Sequence, residues 1–207
     1  RIINLKAAAK SLGLPDVYDD MRGFIAQGSP ALRTASAIAE KLAGDEGQGL
    51  LLSSVRLRAP IVRPERNVVC VGLNYADHVA ESKSVVGGDA PKFPVFFTKP
   101  PSCVIGPGDQ IPWHGHVSTA IDWEVELAVI IGREGRDIDE ASALDHVFGY
   151  TVANDVTARD LQQRHGQWFK GKGLDGFCPL GPVVVTADEI GDPHQLEVSL
   201  RVNGVEK

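Results

Sequence analysis

Three carboxylates carry the first chemical signal in this chain. Glu124 and Glu126 stand two residues apart in IDWEVELAVIIG, and Asp155 follows in YTVANDVTARD at the end of a second apolar run. Charges seldom interrupt strands unless something occupies the space they face. Three acids offering only oxygen suit a hard divalent cation, Mg²⁺ first, with Mn²⁺ or Ca²⁺ as alternatives. Alternate residues of a strand share a face. Glu124 and Glu126 would therefore point one way, and Trp123, Val125 and Leu127 the other. Two adjacent carboxylates repel and are costly to bury, and a divalent ion removes both problems. Asp155 joins them only if its strand lies close by. The same residues also suit a solvated strand face, with Asp155 capping a helix that starts at Val156. The cation reading points to an enzyme rather than a structural module.

Other side chains could do chemistry beside such an ion. His78 and Glu81 lie three apart in ADHVAES and share one face of a helix. Imidazole can take a proton at neutral pH, and a nearby carboxylate can fix its tautomer. An exposed helix pair is the plainer alternative. Lys172 lies in FKGKGLDGF, where flanking glycines allow close backbone approach. Its ammonium could meet a substrate carboxylate or a developing enolate oxygen, or it could be a solvated loop lysine. Lys99, after the aromatic strand in FTKP, could line a pocket. Arg159 and Asp160 read as a structural ion pair, and Asn74 and Tyr75 as turn residues. His114 and His116 form WHGH without a supporting Cys or carboxylate motif, so they are assigned to the surface.

These residues must be positioned by short strands and helices. NLKAAAKSL is rich in helix formers. Ser29 could cap a second helix with Pro30 in its first turn and Gly44 at its stop. Leu32, Ala35, Ile38, Ala39 and Leu42 would form its apolar face. NVVCVGLNY, FPVFFTKP, the stretch from Asp122 to Gly132, VFGYTVANDV and PLGPVVVT read as strands. YADHVAESK, DIDEASALDHV and TARDLQQRH read as short helices. In LEVSLRVNGVEK, Asn203-Gly204 signals a hairpin. The chain ends soon after that turn, so part of the domain is expected beyond it. The expected division is a helical and strand segment over 1–60 and a catalytic domain over 61–207, incomplete at its C-terminal end.

NVVCVGLNYADHVAES, FPVFFTKP, DWEVELAVIIG, YTVANDVTARDLQ and GKGLDGFCPLGP together resemble the fumarylacetoacetate hydrolase superfamily, in the family's order and over about 120 residues. The resemblance implies an α+β domain built on a mixed β-sheet roll of that family's C-terminal-domain type, with a small helical segment before it. It implies a divalent metal held by Glu124, Glu126 and Asp155, and a base at His78 supported by Glu81. It implies an active-site lysine at Lys172, a substrate-binding glutamine at Gln162, and usually a homodimer. Some members add a fourth acidic ligand; GLNY over 72–75 has none. The expected substrate is a small anionic 2-oxo acid. The expected reaction is hydrolysis of a C–C bond in an acylpyruvate-like or fumarylacetoacetate-like 2,4-diketo acid. Isomerisation or decarboxylation of a hydroxymuconate-type or oxaloacetate-like acid would use the same enolate, and a non-catalytic binding protein of the same fold is the third alternative.

Composition narrows the partners. A net charge of −6 from 21 basic and 27 acidic residues, with no basic tract, argues against nucleic acid. No apolar run reaches membrane-spanning length, and no charged start precedes an apolar signal segment. Cys70, Cys103 and Cys178 are few and widely spaced, which fits a reduced cytoplasmic protein.

Overall fold

The computed structural model describes residues 1–45, 47–74 and 92–207. His78 and Glu81 therefore lie outside the described residues. The chain forms two compact units, one of residues 1–61, 126–153 and 180–207, the other of residues 62–125 and 154–179. These units follow contacts in space. The division at 60 and 61 followed the character of the sequence, and the two describe different things.

In the first unit, α1 (Leu5–Ser11), α2 (Met21–Gln27) and α3 (Ser29–Leu42) come first. Asn4 and Asp20 cap α1 and α2 by accepting from Ala7 N–H and Gly23 N–H. The expected cap Ser29 is instead the first residue of α3. Gly28 takes the cap position at φ 60°, which glycine adopts without strain. The buried stripe of α3 is Ala31, Thr34 and Ile38, while Ala39 is exposed. The helix is thus turned by about one residue from the expected face.

Phe24, Ile25 and Ala31 pack with Val17 and Phe148, and Ile130 and Val184 close the cluster. The Phe24 and Phe148 rings meet edge to face at 6.2 Å. Burying side chains of this size contributes about 1.5–3 kcal/mol each. The helical segment is therefore fastened to β5 (Val125–Ile131), β6 (Val147–Asn154) and β8 (Cys178–Thr186). β6 pairs antiparallel with β8, Gly149 opposite Thr186 and Ala153 opposite Leu180. Phe148 and Tyr150 are buried as their apolar run suggests, but Val152 is half exposed. DIDEASALDHV forms its expected short helix as a 3₁₀ helix over Glu140–His146. The hairpin signal is realised: β9 (Arg201–Val202) pairs with β10 (Val205–Glu206), and Asn203 and Gly204 take φ 50° and 80° in the turn.

In the second unit, β1 (Val68–Gly72) and β2 (Val95–Lys99) pair antiparallel, Val68 opposite Lys99. β3 (Val104–Ile105) runs parallel to the start of β8. Parallel and antiparallel neighbours on β8 make the sheet mixed, and the helices make the class α+β. β4 (Ile121–Asp122) pairs with β7 (Thr157–Ala158). α4 (Arg159–Arg164) and α5 (Phe169–Lys172) follow, and α6 (Ala187–Ile190) comes after β8. Val156, Ala158, Leu161 and Phe177 form this unit's apolar cluster. No helix among the described residues is long and apolar enough to cross a membrane.

Candidate active site

Two short segments zip together and bring acids into one place. Ile121 stands opposite Ala158 and Asp122 opposite Thr157. Asp155 N–H donates to Glu124 O at 2.8 Å and Arg159 N–H to Ala120 O at 2.8 Å, extending the ladder at both ends. Asn154 Oδ1 accepts from Glu124 N–H at 3.1 Å. The stretch expected as one strand from Asp122 to Gly132 is broken at Trp123 and Glu124, between β4 and β5. Face alternation therefore does not run unbroken from Glu124 to Glu126. Asp155 follows β6 as expected, but Val156 opens no helix, so the capping alternative falls.

Glycines admit the lysine that faces these acids. A Cβ on Gly171 would lie 2.6 Å from Gln162 N and 2.7 Å from Ala158 O, so α5 packs on the first turn of α4 only with glycine there. Trp168, just before α5, meets the Phe97 ring at 5.5 Å and fills the space where Gly72 would carry a Cβ. Lys172, at the end of α5, is thereby turned inward. Its Nζ lies 2.8 Å from Glu124 Oε2 and 2.7 Å from Asp155 Oδ2, with the three side chains 3%, 14% and 7% exposed. The Phe97 ring centroid is 4.9 Å from the same ammonium, a cation–π distance.

Two further cations complete the group. Arg159 binds Asp122 Oδ2 through NH2 at 2.8 Å and Glu124 Oε1 through NH1 at 2.6 Å. Burial alone would lower the Arg159 pKa, but Glu124 and Asp122 outweigh it and hold the guanidinium above its ordinary value. Lys99 is fully buried and lies 2.6 Å from Asp155 Oδ1. Lys99, Lys172 and Arg159 thus face Asp122, Glu124 and Asp155, and the six charges balance.

The structure gathers four of the predicted site residues, Glu124, Asp155, Lys172 and Lys99, in the second unit. Gln162 joins at the edge, its Oε1 accepting from Arg159 NH1 at 3.2 Å. Glu126 lies on β5, in the first unit. Lys99, expected to line a pocket, instead turns its ammonium toward main-chain carbonyls. Arg159 pairs with Asp122 and Glu124 and not with its neighbour Asp160, the partner expected from the sequence. Asp160 accepts from Ser118 Oγ at 2.5 Å and pairs with Arg164. The overlooked signal was Asp122, an acid at the start of an apolar run that needed a cation. His114, assigned to the surface, places Nε2 2.9 Å from Asp175 O.

Among the described residues no cluster of three or more His, Cys, Asp or Glu side chains is arranged to hold a metal ion. Glu124 and Asp155 nevertheless fit one in chemistry. Both offer hard oxygen, and buried Asp155 Oδ1 accepts no hydrogen bond although Lys99 balances its charge.

The sequence pattern of the fumarylacetoacetate (FAA) hydrolase C-terminal family matches residues 67–207. The chain belongs to the fumarylacetoacetate hydrolase family. Its fold is of that type, and family members generally use a divalent metal. The chain is 44% identical over 209 aligned residues to oxaloacetate tautomerase YisK of Bacillus subtilis, covering 99% of this chain and 69% of that protein. It is 47% identical to the mitochondrial oxaloacetate tautomerase fahd2 of Xenopus laevis, covering 92% of this chain and 57% of the relative. Among solved structures it resembles fumarylacetoacetate hydrolase EaFAH from psychrophilic Exiguobacterium antarcticum. That match has a TM-score of 0.70 at 44% identity, over 91% of this chain and 62% of that one.

Proposed function

We propose that this chain carries the active site of a tautomerase acting on a small, oxaloacetate-like 2-oxo acid. The reaction moves a proton between the carbon beside the 2-oxo group and the 2-oxo oxygen. The observation that carries this reading is the similarity, at 44% and 47% identity, to two proteins named oxaloacetate tautomerases. It favours the isomerase alternative over the C–C hydrolysis expected first. Hydrolysis shares the enolate but also requires water to attack a second carbonyl.

The arrangement of charge supports enolate chemistry. Lys172 holds a nearly buried ammonium against an aromatic ring, where charge is poorly screened. A developing enolate oxygen would be stabilised there by a donor already in place. Glu124 and Asp155 keep that ammonium from swinging away. Arg159 fixes Glu124 from the other side and engages Gln162 Oε1. Gln162 would donate from Nε2 to a substrate carboxylate. His78, oriented by Glu81, would move the proton at carbon. Glu124 and Asp155 would hold a divalent ion, Mg²⁺ foremost, whose positive charge would polarise a 2-oxo group. The family resemblance supports a homodimer, and the three free thiols fit a reducing, cytoplasmic setting.

The test uses the full-length protein loaded with Mg²⁺. Decay of the enol form of oxaloacetate is followed by its ultraviolet absorbance. Pyruvate release from acylpyruvates and CO₂ release from oxaloacetate are measured in parallel. Faster tautomerisation with little release of either product is expected. Efficient acylpyruvate cleavage without tautomerisation would return the hydrolase reading.

A further inference from the structure

We propose that Lys99 is a positioning residue that fixes Lys172 against Asp155 from inside the protein and touches no substrate. The inference rests on the role given to Lys172 above. Lys99 Nζ donates to Val156 O at 3.0 Å, Lys172 O at 2.5 Å and Phe177 O at 2.8 Å. An ammonium has three protons and no acceptor, so these three carbonyls use its whole donor capacity. That is why Asp155 Oδ1, at 2.6 Å, is paired by charge and accepts no directed bond. With 1% of its surface exposed, Lys99 has no face left for a ligand.

The three carbonyls belong to different parts of the site. Val156 directly follows Asp155. Phe177 directly precedes β8. Lys172 O lies at the end of α5, where a helix leaves its last carbonyls without an internal donor. One ammonium therefore ties the main chain of Lys172 to the main chain beside Asp155, while balancing the Asp155 carboxylate itself. The Lys172 side chain is held by Glu124 and Asp155, and its backbone by Lys99.

β2 supplies this grip through its alternation. Phe97 and Lys99 are two residues apart on one face, and Phe96, which precedes Phe97 on the opposite face, is exposed. Phe97 lies under the Lys172 ammonium and Lys99 under the Lys172 carbonyl. A planar guanidinium could replace the charge at position 99 but not a tripod aimed at three converging carbonyls.

The test compares full-length wild type with Lys99→Met, Lys99→Arg, Lys172→Met and the Lys99→Met/Lys172→Met double variant in the tautomerisation assay. Misplacement of a reacting group by about 1 Å costs on the order of 100-fold. Lys99→Met is therefore expected to lower kcat about 10–100-fold with KM little changed. Lys99→Arg should not restore it, and the double variant should be no slower than Lys172→Met. A raised KM with kcat intact, full activity in Lys99→Arg, or multiplicative losses in the double variant would each overturn the inference. ¹⁵N NMR of the lysine ammonium groups in wild type decides the matter even if the variants fail to fold. Slow proton exchange at Lys99 Nζ, with couplings to the carbonyl carbons of Val156, Lys172 and Phe177, is expected. Exchange as fast as at an exposed lysine would overturn it. If Lys172→Met keeps full turnover, the role assigned to Lys172 falls, while the NMR result still reports on Lys99.

Discussion

Asp155→Asn offers the sharpest test of the charge arrangement. The substitution keeps the size of the side chain and removes one negative charge lying 2.6 Å from Lys99 and 2.7 Å from Lys172. The group changes from three cations and three carboxylates to an excess of one positive charge. Removing one partner of a buried pair costs about 3–5 kcal/mol, because the other charge is stranded. Two features place the expected cost near the lower end. Lys172 keeps Glu124 at 2.8 Å, and Lys99 keeps its three carbonyls. There is also a ceiling, since neutralising an ordinary lysine at pH 7 costs about 4.6 kcal/mol. The expected loss is about 3 kcal/mol, a large part of a typical folding stability. For a chain of 207 residues that is about 6–12 °C in Tm. Urea unfolding at pH 7 measures it. Adding Lys172→Met to Asp155→Asn restores the charge balance, so the pair should cost at least about 1 kcal/mol less than the sum of the single losses. A loss under about 0.5 kcal/mol in Asp155→Asn, or strict additivity in the pair, would refute the claim that these charges hold one another in place.

Arg159→Lys should lower turnover at least about 10-fold in the enol-decay assay, because a single ammonium cannot bridge Asp122 and Glu124 as the planar fork does. His78→Ala should lower kcat at least about 100-fold, in line with the contribution of a general base, while circular dichroism remains unchanged. Burial pushes the thiols up against the opposing pull of the Lys99 ammonium, Cys70 to about 12, where Asp155 adds to the rise, and Cys103 and Cys178 to about 11. Iodoacetamide at pH 8 should therefore leave Cys103 and Cys178 unmodified in the folded protein. A folded pKa above the unfolded one means that the thiols' contribution to stability is whole below the ordinary value of 9.0 and is lost as pH rises toward 11–12. The urea midpoint should accordingly fall above about pH 9, and a midpoint that rises there would contradict the assignment.

Much of the local structure is legible in contiguous residues. The hairpin at Asn203-Gly204 needs only two residues that tolerate positive φ, and it forms where the pair stands. β1, β2 and β6 appear where apolar runs lie between turn residues. The α3 boundary moves because Gly28, with its freedom at φ 60°, displaces Ser29 as the cap. Its buried stripe shifts because Phe24, Ile25 and Phe148 determine which side of the helix is covered, and periodicity alone gives only the existence of a stripe.

The sequence by itself determined the family, the strands and helices that carry its motifs, and the residue types able to handle an enolate. Those properties reside in short runs of neighbouring residues. Only the tertiary structure decided which charge meets which. Arg159 passes over adjacent Asp160 for Asp122, 37 residues away, and Lys99 reaches carbonyls 57, 73 and 78 residues on. Coulomb energy and hydrogen bonding depend on distance in space and on the exclusion of water, and separation along the chain enters neither.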